Sequence, residues 1–140
     1  MKSLILIVLL SISLASCSDK QTYSVGVYNN TSHNPIKLKI QYPSPDGMKR
    51  ISFSMIDVGE FKANDLDTKN NPVPKEAKIS WENSKGNKRQ SVVDLSQLSK
   101  VEEESAIMFH IDEDEATVEY FNSEQFAGEW EKRLERKAYQ

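Results

Sequence analysis

The chain has 140 residues, 18 basic and 21 acidic side chains, two histidines and one cysteine, for a formal net charge of −3. That length supports one domain with a real core and not comfortably two. The mildly acidic balance excludes a nucleic-acid wrapper, which needs a clustered excess of Lys and Arg, and argues against a polybasic membrane face. A lone cysteine allows no internal disulfide and no cysteine metal cluster.

In chain order, Met1-Lys2, the apolar run Leu4 to Leu10 and the small residues up to Ser16 have the layout of an export signal. The run is too short, and too soon followed by Asp19-Lys20, to read as a membrane-spanning helix of ~20 apolar residues. The tetrad Leu14-Ala15-Ser16-Cys17 resembles the bacterial lipobox. That resemblance implies removal of residues 1–16, acylation of Cys17 as the mature N-terminus, and attachment through three acyl chains. More than one chain is needed for stable anchoring. Ser18, rather than an aspartate, follows Cys17, which in enterobacterial sorting implies the outer membrane, with the protein facing the periplasm. Without the signal and its one charge, Lys2, the mature chain carries 17 basic and 21 acidic side chains. Residues 17–22 are read as a tether and 23–140 as a single β-rich domain.

From Tyr23 the apolar period is two. Tyr23, Val25 and Val27 alternate with small residues, and after the polar turn Asn29 to Pro35 the pattern resumes at Ile36, Leu38 and Ile40. Pro43 to Gly47 breaks the chain. Ile51, Phe53 and Met55 make a third strand, its apolar content extended by Ile56, Val58 and Phe61. The polar stretch Asn64 to Pro74, with Asp65 and Asp67, reads as the longest loop, a place where function often sits. Ala77, Ile79 and Trp81, then Asn83 to Asn87, then Arg89 to Leu95 read as a hairpin. Ser96 to Lys100 predicts a helical turn. Ile107, Phe109 and Ile111 share a strand face opposite Met108 and His110, and Thr117 to Phe121 reads as the return strand.

The period then changes. Phe126, Trp130 and Leu134 recur every four residues, which predicts an amphipathic helix, with Asn122 and Gln125 as its capping pair. Seven or so short strands and one helix predict a mainly β protein: an antiparallel β-sandwich, or a curved sheet, with one C-terminal amphipathic helix.

Motifs for chemistry are absent. Counted from Asp112, an EF-hand loop fails, since Ala116 holds its fifth position, Thr117 its sixth and Ser123 its twelfth. His33 and His110 lack a zinc spacing, and no serine stands in Gly-x-Ser-x-Gly. The reading is therefore non-enzymatic, with no catalytic residue, no metal and no cofactor. Trp81 and Trp130 read as core residues, Trp81 on its strand's apolar face and Trp130 on the helix stripe, or as binding anchors if either is exposed.

Tyr28-Asn29-Asn30-Thr31 before Pro35-Ile36, Val73-Pro74 leading to Ile79-Ser80-Trp81, and the strand Met108-Phe109-His110 resemble small β-rich lipoproteins of Gram-negative bacteria. Some of these are periplasmic immunity proteins against type VI secretion phospholipase effectors. The resemblance implies a protein partner, a toxic lipase effector that the tethered domain binds and neutralises. The alternative is a structural or assembly lipoprotein docked on an envelope complex. Candidate partner-binding residues are Asp65 and Asp67 in the long loop, Glu102, Glu103 and Glu104, and the acidic tip Asp112, Glu113, Asp114 and Glu115.

Overall fold

The computed structural model describes residues 22–32, 36–44, 46–67, 72–83, 85–98 and 101–138, with the side chains of all but 36, 67, 137 and 138. Residues 1–21, which hold the expected signal, Cys17 and all of the expected tether but Thr22, lie outside the described part, as do His33 and the side chain of Asp67; Thr22, read as the end of the tether, already belongs to the first strand. In chain order come β1 (Thr22–Asn29), β2 (Ile36–Ser44), β3 (Gly47–Ile56), β4 (Phe61–Asp67), β5 (Glu76–Glu82), β6 (Lys88–Asp94), a 3-10 turn at Ser96–Leu98, β7 (Ala106–Ile111), β8 (Ala116–Phe121) and α1 (Ser123–Ala138).

The strands form two four-stranded sheets, ordered β4-β1-β7-β8 and β3-β2-β5-β6. This is the expected mainly β sandwich with one C-terminal helix. All pairings are antiparallel except β1 with β7, which run parallel. Both predicted hairpins form, β5 with β6 and β7 with β8. The alternating apolar positions meet between the sheets: Leu38, Ile40, Phe53, Ile79 and Trp81 from one, Val25, Val27, Ile107, Phe109 and Ile111 from the other. Burying such side chains contributes about 1.5–3 kcal/mol each.

A second, smaller core lies on the opposite face of the β4-β1-β7-β8 sheet. There Phe61, Ala106, Met108 and Phe126 are buried, flanked by Tyr28, Ala63, Phe121 and Trp130. The helix therefore covers the outside of this sheet. Residues 23–27 of β1 are consequently all buried, with the partner sheet beneath and the helix layer above. Gly26 belongs to this crowding. A Cβ there would stand 2.6 Å from Met108 Cε and 2.9 Å from the Lys62 carbonyl oxygen. The methionine can move but the backbone oxygen cannot. Gly26→Ala is expected to destabilise the fold by about 1–3 kcal/mol, read as a lower urea midpoint at unchanged slope. An unshifted midpoint would show that β1 and β4 can separate freely.

Three expectations change. The stretch Asn64 to Pro74 does not begin as a loop, because residues 64–67 are the second half of β4, an edge strand laddered to β1 from Thr22–Asp67 to Tyr28–Phe61. Its polar residues sit at a sheet edge, where alternation is a weak signal. The strands at Tyr23 and Ile36, consecutive in sequence, belong to different sheets. Leu134 does not extend the apolar stripe, being 63% exposed. Arg133 takes that place: its guanidinium lies 4.9 Å from the ring centres of Phe61 and Trp130 and its Nε donates to Glu60 Oε2 at 3.1 Å. The capping pair forms as expected, with Asn122 N–H donating to Gln125 Oε1 at 3.0 Å and Gln125 N–H to Asn122 Oδ1 at 2.9 Å.

Candidate binding face

With the helix on one sheet, no described element covers the outer face of β3-β2-β5-β6. Alternation along each strand sends one residue in two to this face: Lys37, Lys39 and Gln41 on β2, Met48, Arg50, Ser52 and Ser54 on β3, Glu76, Lys78, Ser80 and Glu82 on β5, and Lys88, Gln90, Val92 and Asp94 on β6. Register sorts them into rows across the sheet. Ser52, Lys39, Ser80 and Gln90 make one row, and Arg50, Gln41, Lys78 and Val92 the next. Lys37, Glu82 and Lys88 lie toward the Asn29 end of the sandwich, whereas Met48, Pro43, Glu76 and Asp94 lie toward the Thr22 end.

Short serines set among long lysines leave a depression. An open concavity of about 470 Å³ runs over Ser52, Ser54 and Ser80, flanked by Lys37, Lys39, Lys88 and Arg89. A second of about 250 Å³ lies toward the Thr22 end between Met48 and Val92, over Pro43 and Gln41. Met48 and Val92 are 60% and 59% exposed, so apolar surface stands at both edges of the face. Five cations share it with three carboxylates, on a chain whose net charge is negative. One of those carboxylates, Asp94, accepts from Ser96 N–H at 2.9 Å, and that bond holds its pKa low.

The edge of the face is shaped by a β-bulge. Pairing of Ile36 with Ile56 and of Leu38 with Phe53 places an extra residue on β3, where Met55 adopts φ 54° with its side chain 64% exposed. A bulge bends its strand and raises the local twist. Lys62 Nζ donates to the Ser54 carbonyl at 2.6 Å, supplying a partner to a group beside the disrupted ladder.

The acidic candidates fall in two places. Glu102 to Glu104 precede β7, where Glu104 N–H donates to the Thr22 carbonyl at 2.9 Å and Glu102 N–H to the Tyr120 hydroxyl at 3.2 Å. Asp65 lies at the same end and accepts a short hydrogen bond from Ser24 Oγ, and it borders one recess with Glu104. Asp67 ends β4, paired with Thr22. Asp112, Glu113, Asp114 and Glu115 turn β7 into β8 at the opposite end. There Glu113 accepts from Ser32 N–H and Oγ at 3.1 and 2.9 Å, and Asp114 from Arg89 Nε at 2.9 Å. The two groups do not form one surface, and Glu113 and Asp114 already tie the tip to its neighbours.

The titratable cluster at the helix seam holds structure together. Tyr28 Oη donates to Glu129 Oε2 at 2.8 Å, His110 stacks on Tyr28 at 4.9 Å, and His110 Nε2 lies 2.8 Å from Glu119 Oε2. Burial, then the bond to Glu129, pushes the Tyr28 phenol pKa up, while Lys132 and Tyr28 hold Glu129 low. Among the described residues no group of His, Cys, Asp and Glu is arranged to hold a metal ion, and no helix is long and apolar enough to cross a membrane.

Sequence reasoning missed the lysine face because each lysine reads as the solvent half of an ordinary alternation. A tally of charge at outward positions, strand by strand, was the available signal. The fold and its exposed face define a β-sandwich with a helix sealing one sheet and, among the described residues, nothing laid over the other. Comparison with protein-family models, curated proteins and solved structures finds no match.

Proposed function

We propose that this chain is an envelope lipoprotein, anchored to the outer membrane through acyl chains on Cys17 and facing the periplasm, that binds and neutralises a toxic phospholipase-type effector without catalysis of its own. The bare outer face of β3-β2-β5-β6 carries this reading. A folded domain whose helix seals one sheet leaves the other open, with Met48 and Val92 exposed at its edges. The face measures roughly 20 Å on a side from strand spacing and rise, the scale needed for the centre of an interface burying ~800 Å² per partner. With charges over its middle and apolar residues at its edges, the face suits recognition by charge complementarity, bordered by apolar contact. The lipobox tetrad supports the address and the resemblance of Tyr28 to Thr31, Ile79 to Trp81 and Met108 to His110 supports the effector class.

The test is protection. Cells producing a phospholipase encoded beside this gene, directed to the periplasm, are expected to survive when the full chain is co-expressed and to lyse without it. Cys17→Ser is expected to leave the membrane fraction or to remain an unprocessed precursor. Lysis despite normal amounts of folded, membrane-bound protein would sink the effector reading. Co-fractionation with an envelope assembly in those cells would instead favour a structural lipoprotein.

A further inference from the structure

Resting on that reading of the bare face as a binding surface, we infer that the partner element it takes is an acidic protein segment, a carboxylate-bearing loop or helix end seated over the serine floor. Lys37, Lys39 and Lys88 stand around the concavity and all three are exposed. Ser52, Ser54 and Ser80 line it with hydroxyls, groups that donate hydrogen bonds to carboxylate oxygens. Charge complementarity of this kind steers encounter and sets register. The overall charge of −3 makes the local excess of cations more specific, because the rest of the molecule repels the same partner.

The arrangement favours a shaped protein segment over an anionic bilayer. The row nearest the Thr22 end, where the chain enters β1, carries Glu76 and Asp94. Glu82 stands between Lys37 and Lys88 in the opposite row. A flat phosphate layer would meet these carboxylates together with the lysines. A narrow segment over the serine row stays clear of Glu76 and Asp94 and meets only Glu82, which lines the concavity between Lys37 and Lys88, with Met48 and Val92 left for apolar contact at the margins.

The probe is a fluorescein-labelled poly-glutamate peptide of roughly ten residues, followed by anisotropy with the full chain purified in detergent at about 50 mM salt. Binding is expected, weakening about 10-fold or more in Lys37→Glu/Lys39→Glu. The helix double variant Lys132→Glu/Arg136→Glu, of identical charge change, is expected to stay within about 2-fold. Should the reversal variant fail to fold, Lys37→Gln/Lys39→Gln is expected to weaken binding by about 3-fold or more. Three outcomes overturn the inference: no peptide binding, equal losses in both double variants, or tighter binding to phosphatidylglycerol vesicles with the same lysine dependence. Peptide binding without protection in the co-expression assay removes the lipase and keeps the acidic segment. Protection by a chain that ignores the peptide does the reverse.

Discussion

Phe61→Ala is expected to lower stability by about 3–5 kcal/mol and to release the C-terminal helix from its sheet. Phe61 begins β4 on the helix-covered face and is 0% exposed. Its ring centre lies 5.0 Å from Tyr28, 6.5 Å from Phe126 and 4.9 Å from Trp130, the last edge-on at 69°. Arg133 stacks over both Phe61 and Trp130. Truncation thus empties the centre of the smaller core and removes aromatic contacts worth about 0.5–1.5 kcal/mol each beyond the buried area. The cation loses one of its two rings while its ion pair with Glu60 remains. Urea unfolding followed by tryptophan fluorescence, with limited proteolysis of the helix, checks this. Leu134→Ala on the same helix is the control, expected within about 0.5 kcal/mol because the side chain is exposed. A loss below about 1 kcal/mol for Phe61→Ala would show that the helix contributes little to holding the sandwich.

Asn29→Ala is the second substitution expected to be severe. Asn29 closes β1, is 0% exposed, and joins three segments. Its Nδ2 donates to the Ile56 carbonyl at 2.7 Å, while Oδ1 accepts from Thr31 N–H at 3.0 Å and Thr31 Oγ1 at 2.6 Å. Its backbone N–H donates to the Glu60 carbonyl, and its carbonyl accepts from Gly59 N–H. Alanine keeps the backbone bonds and removes all three side-chain bonds. A buried group deprived of its partner costs about 1–3 kcal/mol, so the loss is expected in that range or above. Asn29→Asp separates the contributions. It retains an acceptor for Thr31 but turns an oxygen toward the Ile56 oxygen and buries a charge, so it is expected to be at least as damaging near neutral pH. Equal stability of Asn29→Ala and the parent in urea unfolding would contradict this role. In the sequence, Asn29 reads as the start of a polar turn and part of the Tyr28 to Thr31 resemblance, with no sign of its buried bonds.

The sandwich gives the proposed binding surface a firm base. Lys37, Lys39 and Gln41 lie on β2, paired on both sides by β3 and β5, while Leu38, Ile40 and Tyr42 between them are anchored in the main core. Side chains on such strands stand in fixed rows, so a partner can bind without first ordering a loop, which would cost affinity. Reversing the charges of Lys37 and Lys39 should therefore change binding far more than stability.

Much of the fold is legible in particular residues. The alternation Ala77, Ile79, Trp81 marks a strand that the structure buries, and the polar turn after it closes the hairpin that forms. Asn122 and Gln125 mark the start of α1 through a cap whose two hydrogen bonds are present. Phe126 and Trp130 mark its inward side. Residues 64–67 were illegible as strand because β4 lies at an edge, and its polar side chains follow no core pattern. Trp81 sits in the main core as read, although its indole N–H has no hydrogen-bond partner among the described residues.

By itself the sequence determined the type of most elements, the helix cap and the inward side of the clearly alternating strands. Tertiary structure decided which sheet each strand joins, that β1 and β7 run parallel, and which outer face is covered. The reason is the range of the interactions. A period of two tells each strand its own inside from its outside, and nothing about its neighbour. Lys39, Ser52, Ser80 and Gln90 share a row only because two neighbouring-strand pairs, β2 with β3 and β5 with β6, are joined by the ladder between β2 and β5, which are distant in sequence. That row lies open because Phe61, Met108, Phe126 and Trp130 bring α1 onto the other sheet.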